Sequence, residues 1–115
     1  MYSLVTLVLH DFHRFDAVLA AWREAGAPAI TILDSVGTRE LDEQGRRDDL
    51  PLMPSIRDLL QADDAPRKTL FSVVEDSVVD KLIAATEEIV GDLADEHQGI
   101  LMVTKLTKVV GFRGP

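Results

Sequence analysis

Imidazole and carboxylate in close succession suggest metal chemistry, and "HDFH" supplies both, with His10, Asp11 and His13 in four consecutive positions. Such ligands suit zinc or another transition metal when their side chains converge on one point. Spacing alone does not make them converge, and a solvated strand-to-helix turn accounts for the same residues. His97, in the polar stretch "ADEHQG", could donate to an anion when protonated; a plain surface histidine is the favoured reading there. Arg46 and Arg47 in "GRRDD" offer guanidinium forks for phosphate or an acidic partner, but the adjacent aspartates neutralise most of that field. Ser55 could take a phosphoryl group at the start of a short helix, where capping also explains it. The chain has no cysteine, which removes disulfides, thiolate zinc sites and cysteine nucleophiles. No spaced carboxylate pair and no nucleophile elbow stands out. The expectation is a protein that is not an enzyme and holds no metal.

The 12 Lys and Arg against 20 Asp and Glu give a net charge of −8, which repels nucleic-acid phosphates and anionic membrane surfaces. No run approaches the roughly 20 apolar residues of a membrane span, and no signal-peptide pattern opens the chain. A cytoplasmic protein that neither inserts into membranes nor binds nucleic acid is expected. With 115 residues and 46% apolar content there is room for one domain, 1–115, around one core.

These residues need elements to position them. Residues 3–9, "SLVTLVL", are too uniformly apolar for a strand with one wet face, so cover on both sides is expected. A helix follows, with Phe15, Val18, Leu19, Trp22 and Ala25 on one face; Gly26 supplies a left-handed stop and Pro28 prevents continuation. Residues 29–34 read as a second strand, Ile30, Ile32 and Asp34 on one side and Thr31 and Leu33 on the other. "KTLFSVVED" reads as a third strand, and Ser77 with Asp80 resembles a cap for a second helix. Its apolar stripe is Val79, Leu82, Ile83, Thr86, Ile89, Val90 and Leu93. Residues 100–106 form another strand, and "KVVGF" reads as a short edge strand.

Between the halves, residues 38–68 make a long polar excursion in which a short helix near 54–61 is expected, since Pro54 suits a first turn and Ile56, Leu59 and Leu60 form a stripe. A connection of this length is usually functional. The order β-α-β, long loop, β-α-β predicts an α+β domain of the ferredoxin-like βαββαβ kind. It has a four-stranded antiparallel sheet with two helices on one face. The other face, left bare and apolar, predicts an oligomer.

In this order and spacing the chain resembles the PII nitrogen-regulatory family and its PII-like relatives over nearly its whole length. The segments that carry the resemblance are "SLVTLVL" with "HDFHRFDAVLAAW", "AGAPAITILDSVG" before the long loop, "LFSVVEDSVVDKLIAA", and the closing "QGILMV" and "KVVGFRG". The resemblance implies a homotrimer that binds an adenine nucleotide (ATP, ADP or AMP) or another small effector between subunits. It also implies a T-loop that touches a target protein such as a transporter or metabolic enzyme. Residue by residue it implies that Thr31 and Val73 lie near the base, Gly37 at the loop root, Gly99 at the end of the ligand-binding B-loop, and Arg113 near phosphate.

The chain departs from the pattern where phosphate would sit. The family's glycine-rich B-loop and following lysine are replaced by "ADEHQGIL", with Asp95 and Glu96 in the loop and Ile100 in the lysine's place. Gly111 stands where a C-terminal arginine is usual, which leaves Arg113. Weak ATP binding, or preference for a less charged ligand, is the expectation. The only tyrosine is Tyr2, outside the loop, so uridylylation there is not expected. Two alternatives stay open: a ligand-free scaffold of the same trimeric form, and a metal-tolerance protein of the CutA type, a family without so long a loop at this place.

Overall fold

The structure is a computed structural model that describes residues 1–35, 67–94 and 99–112. The body of the polar excursion with its expected helix near 54–61, and with it Gly37, Arg46, Arg47, Ser55, Asp95, Glu96, His97 and Arg113, lie outside the described residues. In chain order the elements are β1 (Tyr2–Leu9), a 3-10 turn (Phe12–Arg14), α1 (Phe15–Ala25), β2 (Thr31–Ser35), β3 (Arg67–Glu75), α2 (Asp76–Val90) and β4 (Gly99–Leu106). The four strands make one sheet in the order β2-β3-β1-β4 with every neighbour antiparallel. This is the ferredoxin-like βαββαβ arrangement, with both helices against one face. No described helix is long and apolar enough to cross a membrane.

Strand alternation places the core. Ser3, Val5, Leu7 and Leu9 of β1 and Leu70, Ser72 and Val74 of β3 are buried beneath the helices, while the residues between them are half-buried on the other face. The central strand is thus dry on one side only within a single chain. The two inward serines are satisfied, Ser3 Oγ donating to Asp76 Oδ1 at 2.7 Å and Ser72 Oγ to the Ala29 carbonyl at 2.5 Å. A polar group without such a partner would cost about 1–3 kcal/mol at this depth.

Both helices pack through the stripes their 3.6-residue period predicts. Val18 and Trp22 of α1 and Leu82, Thr86 and Val90 of α2 are buried, with Phe15, Leu19, Ala25, Val79, Ile89 and Leu93 against them. Gly26, at φ 114°, ends α1: its N–H donates to Arg23 O and that of Ala27 to Trp22 O, the paired bonds of a Schellman motif. The start of α2 differs from the sequence expectation. Ser77 does not cap it; the helix begins at Asp76 after the extended Glu75, and no side chain caps it. Its first N–H is met from elsewhere, Asp76 donating to the Met1 carbonyl at 3.0 Å.

Other boundaries move. β2 runs Thr31–Ser35 rather than 29–34, and β3 begins at Arg67, one residue before the expected Lys68, so the strand takes in residues also counted in the excursion 38–68. Residues 108–112, read as an edge strand, form none; Phe112 instead meets the Tyr2 ring edge-on, 4.9 Å between centroids, an arrangement aromatic quadrupoles favour.

Candidate functional site

Antiparallel order gathers the turn after β1, the end of β2, the beginning of β3 and the beginning of β4 at one end of the sheet. Register places Asp34, Lys68, Leu9 and Gly99 in a single row across the four strands, on the helix side. The adjacent row, Leu33, Thr69, Val8 and Ile100, faces the other way. Whatever the long connection does, it starts from this end.

Its root is held on both faces. On the helix side, Lys68 Nζ meets Asp34 Oδ1 at 2.5 Å and lies 5.6 Å from the Phe15 ring centroid. On the other side the Ser35 and Thr69 hydroxyls share a hydrogen bond of 2.8 Å. Arg67 stands at the same root, and burial pushes its guanidinium below the usual arginine range. It starts so far above neutrality that it keeps its charge, so the effect is a desolvation cost and not a switch. Lys68→Met keeps the aliphatic stem and removes the cation. Because Asp34 is largely exposed, the loss of stability is expected to be at most about 1 kcal/mol. Urea titrations should show the gap from the parent closing at about 1 M salt, where the screening length falls to about 3 Å; a gap that ignores salt would assign the effect to packing.

The "HDFH" stretch is a turn. The His13 N–H donates to Asp11 Oδ1 at 3.0 Å, the Arg14 N–H to the Asp11 carbonyl at 3.2 Å, and Arg14 Nε sits 3.4 Å from Asp11 Oδ2. Both carboxylate oxygens of Asp11 are therefore engaged in turning the chain into α1. Arg14 also donates to the Ile89 carbonyl, tying the turn to the last turn of α2, where exposed carbonyls favour a cation. Among the described residues no three His, Asp or Glu side chains form a cluster able to hold a metal.

Of the five positions implied to bind an effector, three are described. Thr31 is exposed on β2 opposite Phe71, and Val73 is half-buried on β3 opposite Leu4. Both lie on the face away from the helices, diagonal neighbours across one strand boundary, a spacing of about 7–8 Å. Gly99 is not brought to them. It begins β4, at the opposite edge of the sheet from β2, about 14 Å away across three strand spacings. It is also required within the chain: at φ 144°, a Cβ there would lie 2.6 Å from the Val8 carbonyl oxygen. Sequence reading missed the burial of Arg67 because it gave that residue to the polar loop, and it missed the Lys68 contact because it set Lys68 where strand and loop met. The signal that could have found them is the inward alternation of Leu70, Ser72 and Val74, which continues back to Lys68. Neither the protein-family models nor the curated proteins compared with this chain match it.

Proposed function

We propose that the chain is a cytoplasmic PII-like signalling protein: a homotrimer that binds a small effector between subunits and uses the connection 36–66 to regulate a target protein. One observation carries this reading. Thr31 lies on one edge strand with Val73 on the strand beside it, and Gly99 lies on the other edge strand, so the implied effector residues can meet only across two copies. The half-buried apolar face bearing Leu4, Phe71 and Val73 supports association. The pinned β2–β3 root supports a reading in which the connection is anchored at a defined point. Effector contacts would favour one conformation of that connection over another, which is population shift.

Asp95 and Glu96 in the B-loop, with Ile100 and Gly111 in place of cations, set the ligand preference. AMP or a nucleoside is expected to bind more tightly than ATP. Light scattering should give three times the 12.7 kDa subunit mass, and calorimetry with ATP, ADP and AMP should rank ATP last. Tight ATP binding would overturn the ranking, a monomer at micromolar concentration the assembly, and a thermal-shift screen flat to all three would favour the ligand-free scaffold.

A further inference from the structure

The last turn of α2 carries charge of the wrong sign. Glu87 and Glu88 stand there with no basic residue of the helix's own, although the negative end of the helix dipole disfavours carboxylates and favours cations. The missing cation comes from another element, because Arg14 donates to the Ile89 carbonyl. Glu87 is engaged differently. Its backbone carbonyl accepts from the Gly91 N–H at 2.9 Å, and its half-buried side chain reaches past the end of the helix, where Oε2 accepts from the Leu93 N–H at 3.0 Å. The Leu93 side chain packs against the core. Residue 93 is therefore held twice, by its side chain and by its N–H.

We infer that Glu87 is a positioning residue for the effector site: its carboxylate fixes the point from which the chain enters the B-loop. This rests on the effector reading above and names a residue that acts through the loop. The loop joins Ala94 to Gly99, and both of those ends are referred to one frame. Gly99 pairs with Leu9 and leaves no room for a Cβ against the Val8 carbonyl. The turn that follows Leu9 holds the end of α2, through Arg14 on Ile89, and Arg14 is itself set against Asp11. What remains to be fixed between that helix end and the loop is the segment 91–94. Within it the Glu87 side chain ties backbone to helix across six positions. The other carboxylate there, Asp92, accepts from the Ala94 N–H at 2.9 Å and spans only two positions, so it shapes the turn without anchoring it to the helix.

This role accounts for an acidic residue at an unfavourable end of a helix. Removing the carboxylate loses a hydrogen bond but also relieves an opposed charge. The two effects on global stability act in opposite directions, so the signature of the residue is local: segment 91–94 loosens while the fold stays closed.

Glu87→Ala and Glu87→Gln separate the possibilities, since glutamine keeps a side-chain oxygen able to accept from the Leu93 N–H. Native-state hydrogen exchange on the full chain should show the Leu93 amide of Glu87→Ala exchanging about tenfold faster than in the parent, with the Leu82 and Thr86 amides unchanged. Calorimetry should show AMP binding to Glu87→Ala about tenfold more weakly, because ordering even one released residue costs about that factor. Glu87→Gln should recover most of both losses. An unchanged Leu93 amide in Glu87→Ala overturns the anchoring, and faster exchange with parent-like AMP affinity overturns the role at the site. Glutamine no better than alanine in both measurements overturns the hydrogen-bond account and assigns the effect to charge. A parent protein that binds none of ATP, ADP and AMP overturns the effector reading and the positioning role with it, while Leu93 exchange still decides the anchoring by itself.

Discussion

Trp22→Ala is expected to lower unfolding free energy by about 3–5 kcal/mol, the range for removing a large buried aromatic. That is a large share of the roughly 5–15 kcal/mol that keeps a domain folded. Trp22 is fully buried, at the crossing of α1 and α2. Its Nε1–H donates to Thr86 Oγ1 at 2.9 Å, and that hydroxyl donates to the Leu82 carbonyl at 2.7 Å. Truncation opens a cavity between the helices but leaves Thr86 its acceptor. Thr86→Val does the reverse, preserving volume while stranding the indole N–H, at an expected cost of about 1–3 kcal/mol. Urea unfolding followed by circular dichroism should rank Trp22→Ala well above Thr86→Val. A Trp22→Ala loss below about 1 kcal/mol would mean that the helices do not close over this ring.

Gly99→Ala is expected to be the most damaging glycine-to-alanine change among the described residues. A new Cβ would lie 2.6 Å from the Val8 carbonyl oxygen and within 3.7 Å of Leu9 Cα, all of it backbone that cannot turn aside. The residue also adopts φ 144°, which L side chains rarely adopt. Conformational strain of about 1–3 kcal/mol adds to an overpacking cost of similar size, and β4 must move away from β1. Gly91→Ala serves as the internal control, because φ is 88° there and nothing lies within 4 Å of the new atom. It should cost the strain alone. Hydrogen exchange should show the Ile100 and Leu101 amides losing protection in Gly99→Ala and unchanged in Gly91→Ala. Equal losses of stability for the two variants would remove the steric argument.

The helices were legible because their stripes repeat every 3.6 residues, a local property that neighbouring residues already contain. Phe15, Val18, Leu19, Trp22 and Ala25 needed only their spacing, and Gly26 only its freedom at positive φ. The facing of β2 was legible for the same reason, since side chains alternate along a strand. Ser77 was misread as a cap because the contacts at the start of α2 come from the chain's first residues, the Met1 carbonyl accepting from the Asp76 N–H and the Ser3 hydroxyl donating to the Asp76 carboxylate. No local pattern could reveal partners more than seventy positions away. Arg67 was misread as loop because charge is rare in strands, and the partners of its neighbour Lys68, Asp34 and Phe15, could not be read because their approach depends on tertiary packing.

The candidate site divides along the same line. Residue types and order by themselves determined the α+β arrangement, the long connection between its halves and the absence of cysteine chemistry. Only the tertiary structure decided which of the implied residues can meet. Thr31 and Val73 fall on adjacent strands and approach; Gly99 falls on the far edge and does not. The physical reason is strand order. Periodicity tells which way a side chain faces, but the order β2-β3-β1-β4 arises from long-range pairing of backbone groups, and it sets the two halves of the site at opposite edges of the sheet.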